Sequence, residues 1–269
     1  MQDIHTKTFP ADRSGGLAAV LIHGASDHSA RYAHVIQELN EHGIAVVTGD
    51  LPGFGHSPGL HGHIDHFDQY LDAVEGWVRQ AKQLVGAAGS VAIIGHSMGG
   101  LVAVRFLQER GAMHEQIVGA VLTSPLLRVA VEIPAWKRSI AKVLDRVLPK
   151  LRLPSNISTA FLTRTPEIVA AYEQDPLCGG VVSARWFYEI QRATALAKRE
   201  ADKIGVPILL MQAGSDKIVA PEEAEPFFRS LSMRENNKFI LYPQCYHELF
   251  NEPEQAEIMR ELLKWLKNA

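Results

Sequence analysis

Residues 91–99 read VAIIGHSMG, and this stretch decides the fold of the chain. The apolar, β-branched run 91–94 predicts a buried strand, and the helical spacing of 101–109 predicts a helix soon after it. A sharp turn between strand and helix leaves no room for side chains two positions before and two positions after its centre. Both positions must therefore be glycine, and they are Gly95 and Gly99. The turn lifts the hydroxyl of Ser97 clear of the sheet, beside a helix N-terminus that favours negative charge.

Strands and helices alternate on both sides of this turn. Buried strands are predicted at residues 18–22, 44–48, 91–94, 118–123, 207–212 and 238–242. Helical spacing that ends near a glycine predicts helices at residues 30–41, 70–85 and 101–109. Strands connected in this way pair in parallel through right-handed crossovers. The sequence therefore predicts an α/β fold with a mostly parallel, doubly wound sheet.

One segment, 126–202, interrupts the alternation. It contains no strand of comparable quality, is helical in pattern and is punctuated by five prolines. Ligands of such sheets bind beyond the carboxyl ends of the strands, so an insertion at that edge would form a roof over the site. We predict one α/β core formed by residues 1–125 and 203–269, with 126–202 as an inserted helical cap, or lid.

Two further polar residues follow predicted strands and match the chemistry of Ser97. A serine hydroxyl needs a base to remove its proton, and that base needs a carboxylate to fix its tautomer. Asp216 follows the strand that ends near residue 212, and His247 follows the strand that ends near residue 242. The chain order of serine, acid and histidine is the one expected for this architecture. We therefore predict Ser97, Asp216 and His247 to be catalytic.

A developing oxyanion requires two backbone N–H donors. The residue after the nucleophile, Met98, supplies the first, and the loop after an early strand supplies the second. That loop contains His23, Gly24 and Ala25, so the N–H of Ala25 is the predicted second donor. Gly24 keeps the loop close to the reacting centre, whereas His23 is expected to pack and hydrogen-bond beneath it.

Composition and charge exclude several classes of function. Hydrophobic residues make up 46% of the 269 residues, which is too many for a disordered chain. The 27 Lys and Arg against 30 Asp and Glu, with no long basic block, argue against nucleic acid as a partner. Cys178 and Cys245 form no CxxC pattern, so neither a disulfide framework nor a cysteine-rich zinc site is indicated. The charged first 16 residues, which lack an apolar run, lead us to expect a cytoplasmic protein.

Four stretches of the core carry longer patterns. They are 23–32 (HGASDHSARY), 50–57 (DLPGFGHS), 95–100 (GHSMGG) and 246–252 (YHELFNE). Together they resemble the α/β-hydrolase superfamily, and within it the monoacylglycerol lipase and lysophospholipase family of serine hydrolases. The third stretch is similar to that family's nucleophile turn, including His96 as a supporting residue. The resemblance implies ester hydrolysis through an acyl-enzyme on Ser97, with no cofactor and no metal.

The histidines of 61–66 raise the question of a metal site. His61, His63 and His66 lie close in sequence to Asp65 and Asp68. Residues 63–70, however, resemble the family's entry into its next helix. We therefore expect these histidines to be structural.

The substrate is less determined than the chemistry. A capped apolar pocket suits one acyl chain, so a monoacylglycerol is the first candidate substrate and a lysophospholipid or other anionic phospholipid the second. A capped serine aminopeptidase stays open, because carboxylates available to bind a substrate ammonium are present in the cap at Glu132, Glu167, Glu173 and Asp175. A binding scaffold without catalysis is the remaining alternative, and the intact triad argues against it.

Residues 134–154 form a basic amphipathic pattern within the predicted cap. Six lysines and arginines face a single acidic residue, Asp145, while apolar residues recur at helical spacing. One interpretation is an ordinary cap helix with its apolar stripe on the core. The other is peripheral contact with an anionic membrane surface or headgroup.

Overall fold

The computed structural model describes residues 4–11, 16–130, 143–155 and 158–268. Seven strands form one sheet in the order β1-β3-β2-β4-β5-β8-β9, and β6 pairs with β7 in a separate two-stranded sheet. The strands are β1 (Thr6–Phe9), β2 (Leu17–Ile22), β3 (Ile44–Gly49), β4 (Ser90–His96), β5 (Ile117–Thr123), β6 (Arg152–Pro154), β7 (Val181–Ser183), β8 (Ile208–Ala213) and β9 (Lys238–Tyr242).

Helices connect these strands. They are α1 (Ala33–Glu41), α2 (Asp68–Val85), α3 (Met98–Glu109), α4 (143–147), α5 (Pro166–Gln174), α6 (Ala184–Arg199), α7 (Ala224–Arg229) and α8 (Gln255–Leu266). The predicted helix at 30–41 is divided, since a 3-10 turn at Ser29–Tyr32 precedes α1. Among the residues that the structure describes, no helix is both long and apolar enough to cross a bilayer.

The six predicted strands are all present, and they pair in parallel as expected. The sequence analysis missed β1, which pairs antiparallel with β3 at the edge of the sheet. Its burial is slight because one flank of an edge strand faces solvent, so the apolar alternation that identifies a strand is weak there.

The two faces of the sheet bury separate hydrophobic layers. Side chains alternate along each strand, so Val20 points to one face and Leu21 to the other. The face of Val20 packs against α2, α3, α6 and α7, and the face of Leu21 packs against α1 and α8. This arrangement leaves the carboxyl edge of the parallel strands clear of the packing helices.

The segment 126–202 differs in detail from the prediction. It contains the short hairpin β6–β7, which the sequence analysis did not predict. The basic stretch 134–154 is not one helix: residues 143–147 are helical, a turn follows, and 152–154 form β6, while 134–142 lie outside the described residues. The proline at position 149 explains why the helix ends at residue 147, because proline cannot continue a helix. Helix α6 also lies in this segment, yet Trp186 and Ile190 are buried in the main core.

Candidate active site

Ser97 lies in a strained turn between β4 and α3. Its φ of 54° and ψ of −118° are rarely adopted by a residue with a side chain. A Cβ on Gly95 would collide with the backbone of Gly99, and one on Gly99 would collide with the carbonyl oxygens of Ile22 and His23. The structure therefore supports the reasoning that both flanking positions must be glycine.

The structure brings Ser97, His247 and Asp216 together at the carboxyl edge of the sheet. His247 Nε2 is 2.8 Å from Ser97 Oγ, and His247 Nδ1 is 2.7 Å from Asp216 Oδ2. The other carboxylate oxygen of Asp216 accepts the backbone N–H groups of Ile218 at 2.8 Å and Val219 at 3.0 Å. These bonds fix the carboxylate, so it can orient the imidazole without moving.

The electrostatic environment makes His247 a better base than an ordinary buried histidine. Burial lowers the pKa of His247, but attraction to Asp216 and their hydrogen bond outweigh it, so the pKa lies above the ordinary value. The neighbouring His96 has its ring centre 4.8 Å from that of His247. Burial, together with repulsion from a charged His247, keeps the pKa of His96 well below its ordinary value. His96 is therefore neutral beside His247.

The two amides predicted to bind an oxyanion flank Ser97. Met98 is the first residue of α3, so its N–H has no partner within the helix. Ala25 lies in the loop after β2, and a Cβ on the adjacent Gly24 would be 3.3 Å from Ser97 Cβ, which shows how closely this loop approaches. Within the described part of the chain, neither amide donates a hydrogen bond to another protein atom.

His23 holds that loop in place, as the sequence analysis expected. Its Nδ1 lies 2.7 Å from the Gly24 carbonyl oxygen, and its Nε2 accepts the N–H of Leu51 at 2.8 Å. Burial lowers the pKa of His23, so the ring is neutral and donates from Nδ1. In a trans peptide the carbonyl of Gly24 and the N–H of Ala25 point in opposite directions. The bond from His23 therefore sets the direction of the Ala25 N–H.

A buried ion pair beside His247 was not found by the sequence analysis. Arg31 donates to both carboxylate oxygens of Glu248, at 2.9 and 2.8 Å, and to Asp27 at 3.1 Å. Tyr32 donates to the second oxygen of Asp27 at 2.8 Å. Burial disfavours the charge on Arg31, but the two carboxylates raise its pKa above the ordinary value. The pair joins the loop after β2 to the loop that carries His247.

The segment 126–202 contacts both of these loops. Tyr172 donates its hydroxyl to the Ser26 carbonyl oxygen at 2.8 Å, and Arg31 lies 4.8 Å over its ring. Arg164 donates its backbone N–H and its guanidinium to Glu252, whose side chain is fully buried. The Glu248 N–H donates to the Leu162 carbonyl oxygen at 2.7 Å. No local sequence pattern signalled these contacts, because they join distant parts of the chain.

His63 and Cys245, which are not part of the candidate triad, lie in buried environments. His63 Nδ1 lies 2.7 Å from Ser183 Oγ, the N-cap of α6. Among the described residues, His61, His63 and His66 are not part of any three-residue group with metal-ligand spacing. Cys245 is buried two residues before His247, and burial raises its pKa to about 12. A thiol with this pKa is a poor nucleophile at neutral pH.

A serine, histidine and aspartate hydrogen-bonded in this order on such a sheet are typical of serine hydrolases with the α/β-hydrolase fold. A sequence model of the family described as "Serine aminopeptidase, S33" matches residues 17–254. The chain belongs to this family of α/β hydrolases and is a hydrolase.

Individual proteins of known identity resemble the chain over nearly all its length. Phospholipase YtpA of Bacillus subtilis is 34% identical and matches 94% of this chain and 95% of its own. The human monoglyceride lipase is 30% identical and matches 91% of this chain and 80% of its own. The crystal structure of a monoacylglycerol lipase from Paleococcus ferrophilus superposes with a TM-score of 0.88 at 29% identity, covering 98% of both chains. These similarities confirm the predicted fold class and the predicted family resemblance.

Proposed function

We propose that this enzyme hydrolyses the ester bond of monoacylglycerols through an acyl-enzyme on Ser97. The observation that carries the proposal is the pair of hydrogen bonds that links Ser97 Oγ through His247 to Asp216, at 2.8 and 2.7 Å. The similarity to monoglyceride lipases over at least nine-tenths of this chain supports the choice of a single-chain glyceride.

The geometry gives each residue a role in the reaction. His247, held by Asp216, removes the proton of Ser97 as the hydroxyl oxygen attacks the ester carbonyl. The N–H groups of Ala25 and Met98 stabilise the oxyanion. The tetrahedral intermediate expels glycerol, which takes the proton from His247, and leaves an acyl-serine. Water, deprotonated by the same imidazole, then releases the fatty acid and restores Ser97.

The proposed cap, 126–202, controls access to this centre. Ser97 is only 7% exposed, so neighbouring groups cover it and must make room for an ester. The stretch around Leu162 contacts the loop of His247, and α6 is fixed in the main core. We infer that α6 is the anchored end of the cap and that the described residues 158–174 before it move when substrate enters.

A second candidate substrate is a lysophospholipid or another anionic phospholipid. The similarity to phospholipase YtpA over almost the full length of both chains favours it. The described part of the cap also places Arg146, Lys150 and Arg152 in exposed positions, where they could meet a phosphate.

An aminopeptidase activity, which the family description suggests, has less support. Glu173 accepts a hydrogen bond from Thr159, and Asp175 lies 2.9 Å from His28 Nε2, so both carboxylates already have partners. Glu167 is exposed in the first turn of α5, and Glu132 lies outside the described residues. None of these described carboxylates is an unpaired, buried group that would bind a substrate ammonium.

A panel of substrates tests the proposal. Purified protein, with Ser97→Ala as control, is assayed on 1-monoacylglycerol, lysophosphatidylcholine and lysophosphatidylglycerol of matched chain length, and on an aminoacyl arylamide. We expect Ser97-dependent hydrolysis with the highest kcat/KM on the neutral glyceride. A preference for lysophosphatidylglycerol would favour the second candidate. Cleavage of the arylamide alone would contradict the proposal.

We further propose a cytoplasmic enzyme that contacts membranes through its cap. Val143, Val147 and Leu148 are 60%, 68% and 54% exposed, so this apolar stripe does not pack on the core. The basic side chains of Arg146 and Lys150 lie beside it in sequence and are also exposed. An exposed apolar stripe with basic neighbours suits the interface of an anionic bilayer.

A further inference from the structure

A histidine, an aspartate and a cysteine meet where the cap touches the core. His28 lies in the loop after β2, Asp175 directly follows α5, and Cys178 lies three residues further on. His28 Nε2 is 2.9 Å from Asp175 Oδ2. One donor atom from each of the three residues lies within 4.8 Å of the other two. The mechanism proposed above uses none of these side chains.

The separations are close to those of a zinc site. Zn²⁺ takes imidazole nitrogen, carboxylate oxygen and thiolate sulfur at about 2.0–2.3 Å in tetrahedral geometry. Those bond lengths place neighbouring ligand atoms about 3.4–3.6 Å apart. The imidazole and carboxylate must therefore separate slightly, and Cys178 must approach by up to about 1.4 Å, with water as the fourth ligand. A rotation of one short side chain supplies such a movement.

The charges around the cluster favour a cation. The carboxylates of Asp27, Asp175 and Glu248 act on Cys178, and the guanidinium of Arg31 opposes them. Three carboxylates against one guanidinium leave the surroundings negative. A divalent cation would therefore be attracted here, and it would convert the Cys178 thiol to a thiolate ligand.

His28 has unused hydrogen-bonding capacity. The residue is 5% exposed, and its Nδ1 has no hydrogen-bond partner in the described part of the chain. A ring nitrogen without a partner can take the proton that Nε2 gives up when a metal binds there. The hydrogen bond between Nε2 and Asp175 is then replaced by bonds of both groups to the ion.

A second group with similar spacing gives a useful contrast. Cys245, Glu252 and Glu254 also lie within 4.8 Å of one another. Arg164, however, donates to both glutamates, and its Nη2 is 3.8 Å from Cys245 Sγ. A guanidinium already occupies this group and supplies the positive charge. In the His28 cluster, the carboxylate of Asp175 contacts an imidazole at 2.9 Å instead of a guanidinium.

We propose that His28, Asp175 and Cys178 form a Zn²⁺ site that ties the cap to the loop after β2 and slows turnover. Binding releases the thiol proton of Cys178 to solvent and moves the His28 ring proton from Nε2 to Nδ1. The ion takes no part in ester chemistry. It restrains the segment after α5 against the loop that carries Ala25, three residues before His28. The effect on turnover rests on the proposed function, whereas the binding of the ion does not.

Binding is measured first, on the full chain after treatment with a chelator. Zn²⁺ is titrated by calorimetry, and Co²⁺ is added in parallel to detect a thiolate-to-metal charge-transfer band. Cys245→Ser is the matched control for Cys178→Ser. We expect the band in the wild type and in Cys245→Ser, and its loss in Cys178→Ser. Zn²⁺ affinity should fall by about tenfold or more in Cys178→Ser and Asp175→Asn.

The outcomes distinguish the proposed Zn²⁺ site from its proposed effect on turnover. Absence of a thiolate band in the wild type, or unchanged Zn²⁺ affinity in Cys178→Ser, would overturn the site even if other histidines bind the metal. Hydrolysis of a small p-nitrophenyl ester is then followed with and without Zn²⁺. We expect slower turnover in the wild type and no change in Cys178→Ser. Equal inhibition of both proteins would overturn the proposed effect on the cap.

Discussion

At the scale of single residues, the site depends on positions where almost no other side chain fits the required geometry. Ser97 has a positive φ, and a Cβ on Gly99 would collide with the carbonyl oxygens of Ile22 and His23. His247 combines complete burial with a carboxylate partner, which gives it a pKa above the ordinary value. These features convert an unreactive hydroxyl into a candidate nucleophile.

The raised pKa of His247 predicts the acid limb of the pH profile. The base must be neutral to accept a proton, so kcat/KM should fall as pH decreases through the pKa of His247. Because Asp216 raises this pKa, the limb should lie above the ordinary histidine value of about 6.5. In Asp216→Asn the residual limb should move to lower pH, and kcat should decrease by about 10³–10⁴-fold. An unchanged limb in Asp216→Asn would show that another group titrates.

Two glycine substitutions separate the effect of a steric clash from the effect of the conformational freedom of a glycine backbone. In Gly99→Ala the new methyl group meets backbone atoms that cannot move aside, so we expect a loss of about 1–3 kcal/mol or more in the free energy of unfolding. Gly76 lies inside α2 with open space around its Cα, so Gly76→Ala should stabilise the protein by about 0.5–1 kcal/mol. Urea unfolding of both variants measures the difference. Equal stability of the two would refute the steric argument.

At the scale of elements, loops rather than helices and strands carry the site. The loop after β2, the turn before α3 and the loops after β8 and β9 all end at one edge of the sheet. Arg31 and Glu248 join the first of these loops to the last, in a pair whose side chains are 12% and 7% exposed. The pair thereby restrains the loop that carries His247.

Removing the charge of Glu248 should have both a structural and a kinetic effect. Glu248→Gln leaves Arg31 buried without its bidentate partner, so we expect a loss of about 3 kcal/mol in the free energy of unfolding. The rate should also fall, because Glu248 directly follows His247 in the chain. The control is Glu225→Gln, which removes an exposed ion pair with Arg229 and should change stability little. If both variants behave alike, the buried pair does not position His247.

At the scale of the whole molecule, the segment 126–202 combines contacts to the candidate site with exposed apolar surface. The described part of this proposed cap includes α4, the following turn and β6, and several of its large apolar side chains face solvent. The same segment of the chain touches the loops that hold Ala25 and His247. A bilayer that contacts the proposed cap would therefore touch the same segment of the chain that contacts these two loops.

Vesicle flotation tests this arrangement. We expect binding to anionic vesicles and weak binding to neutral ones, with a loss in Val147→Ser/Leu148→Ser because apolar area is removed. The double variant Arg146→Glu/Lys150→Glu should lose the preference for anionic lipid. Met233→Ser is the control, since Met233 is 95% exposed but lies outside the cap. Equal binding to both vesicle types, or none to either, would contradict the proposed membrane contact.

Local patterns account for most of the fold and for the residues of the candidate triad. Buried strands produce apolar runs, and the turn at Ser97 demands glycines at fixed spacing, so both are visible in a single sequence. Because parallel strands end at a common edge, Asp216 and His247 could be placed beside Ser97 before their distances were known. The early end of the basic helix is a feature that the sequence does indicate, because proline at position 149 cannot continue a helix.

The sequence by itself therefore determined the α/β architecture and the identity of the hydrogen-bonded serine, histidine and aspartate. Only the tertiary structure decided the antiparallel edge strand β1, the partner of Arg31 and the contacts of the segment 126–202 with both loops of the candidate site. The reason is physical. Secondary structure and tight turns are fixed by interactions between neighbours in the chain, whereas an ion pair such as Arg31–Glu248 joins residues 217 positions apart. Its existence depends on how the whole sheet brings its loops together.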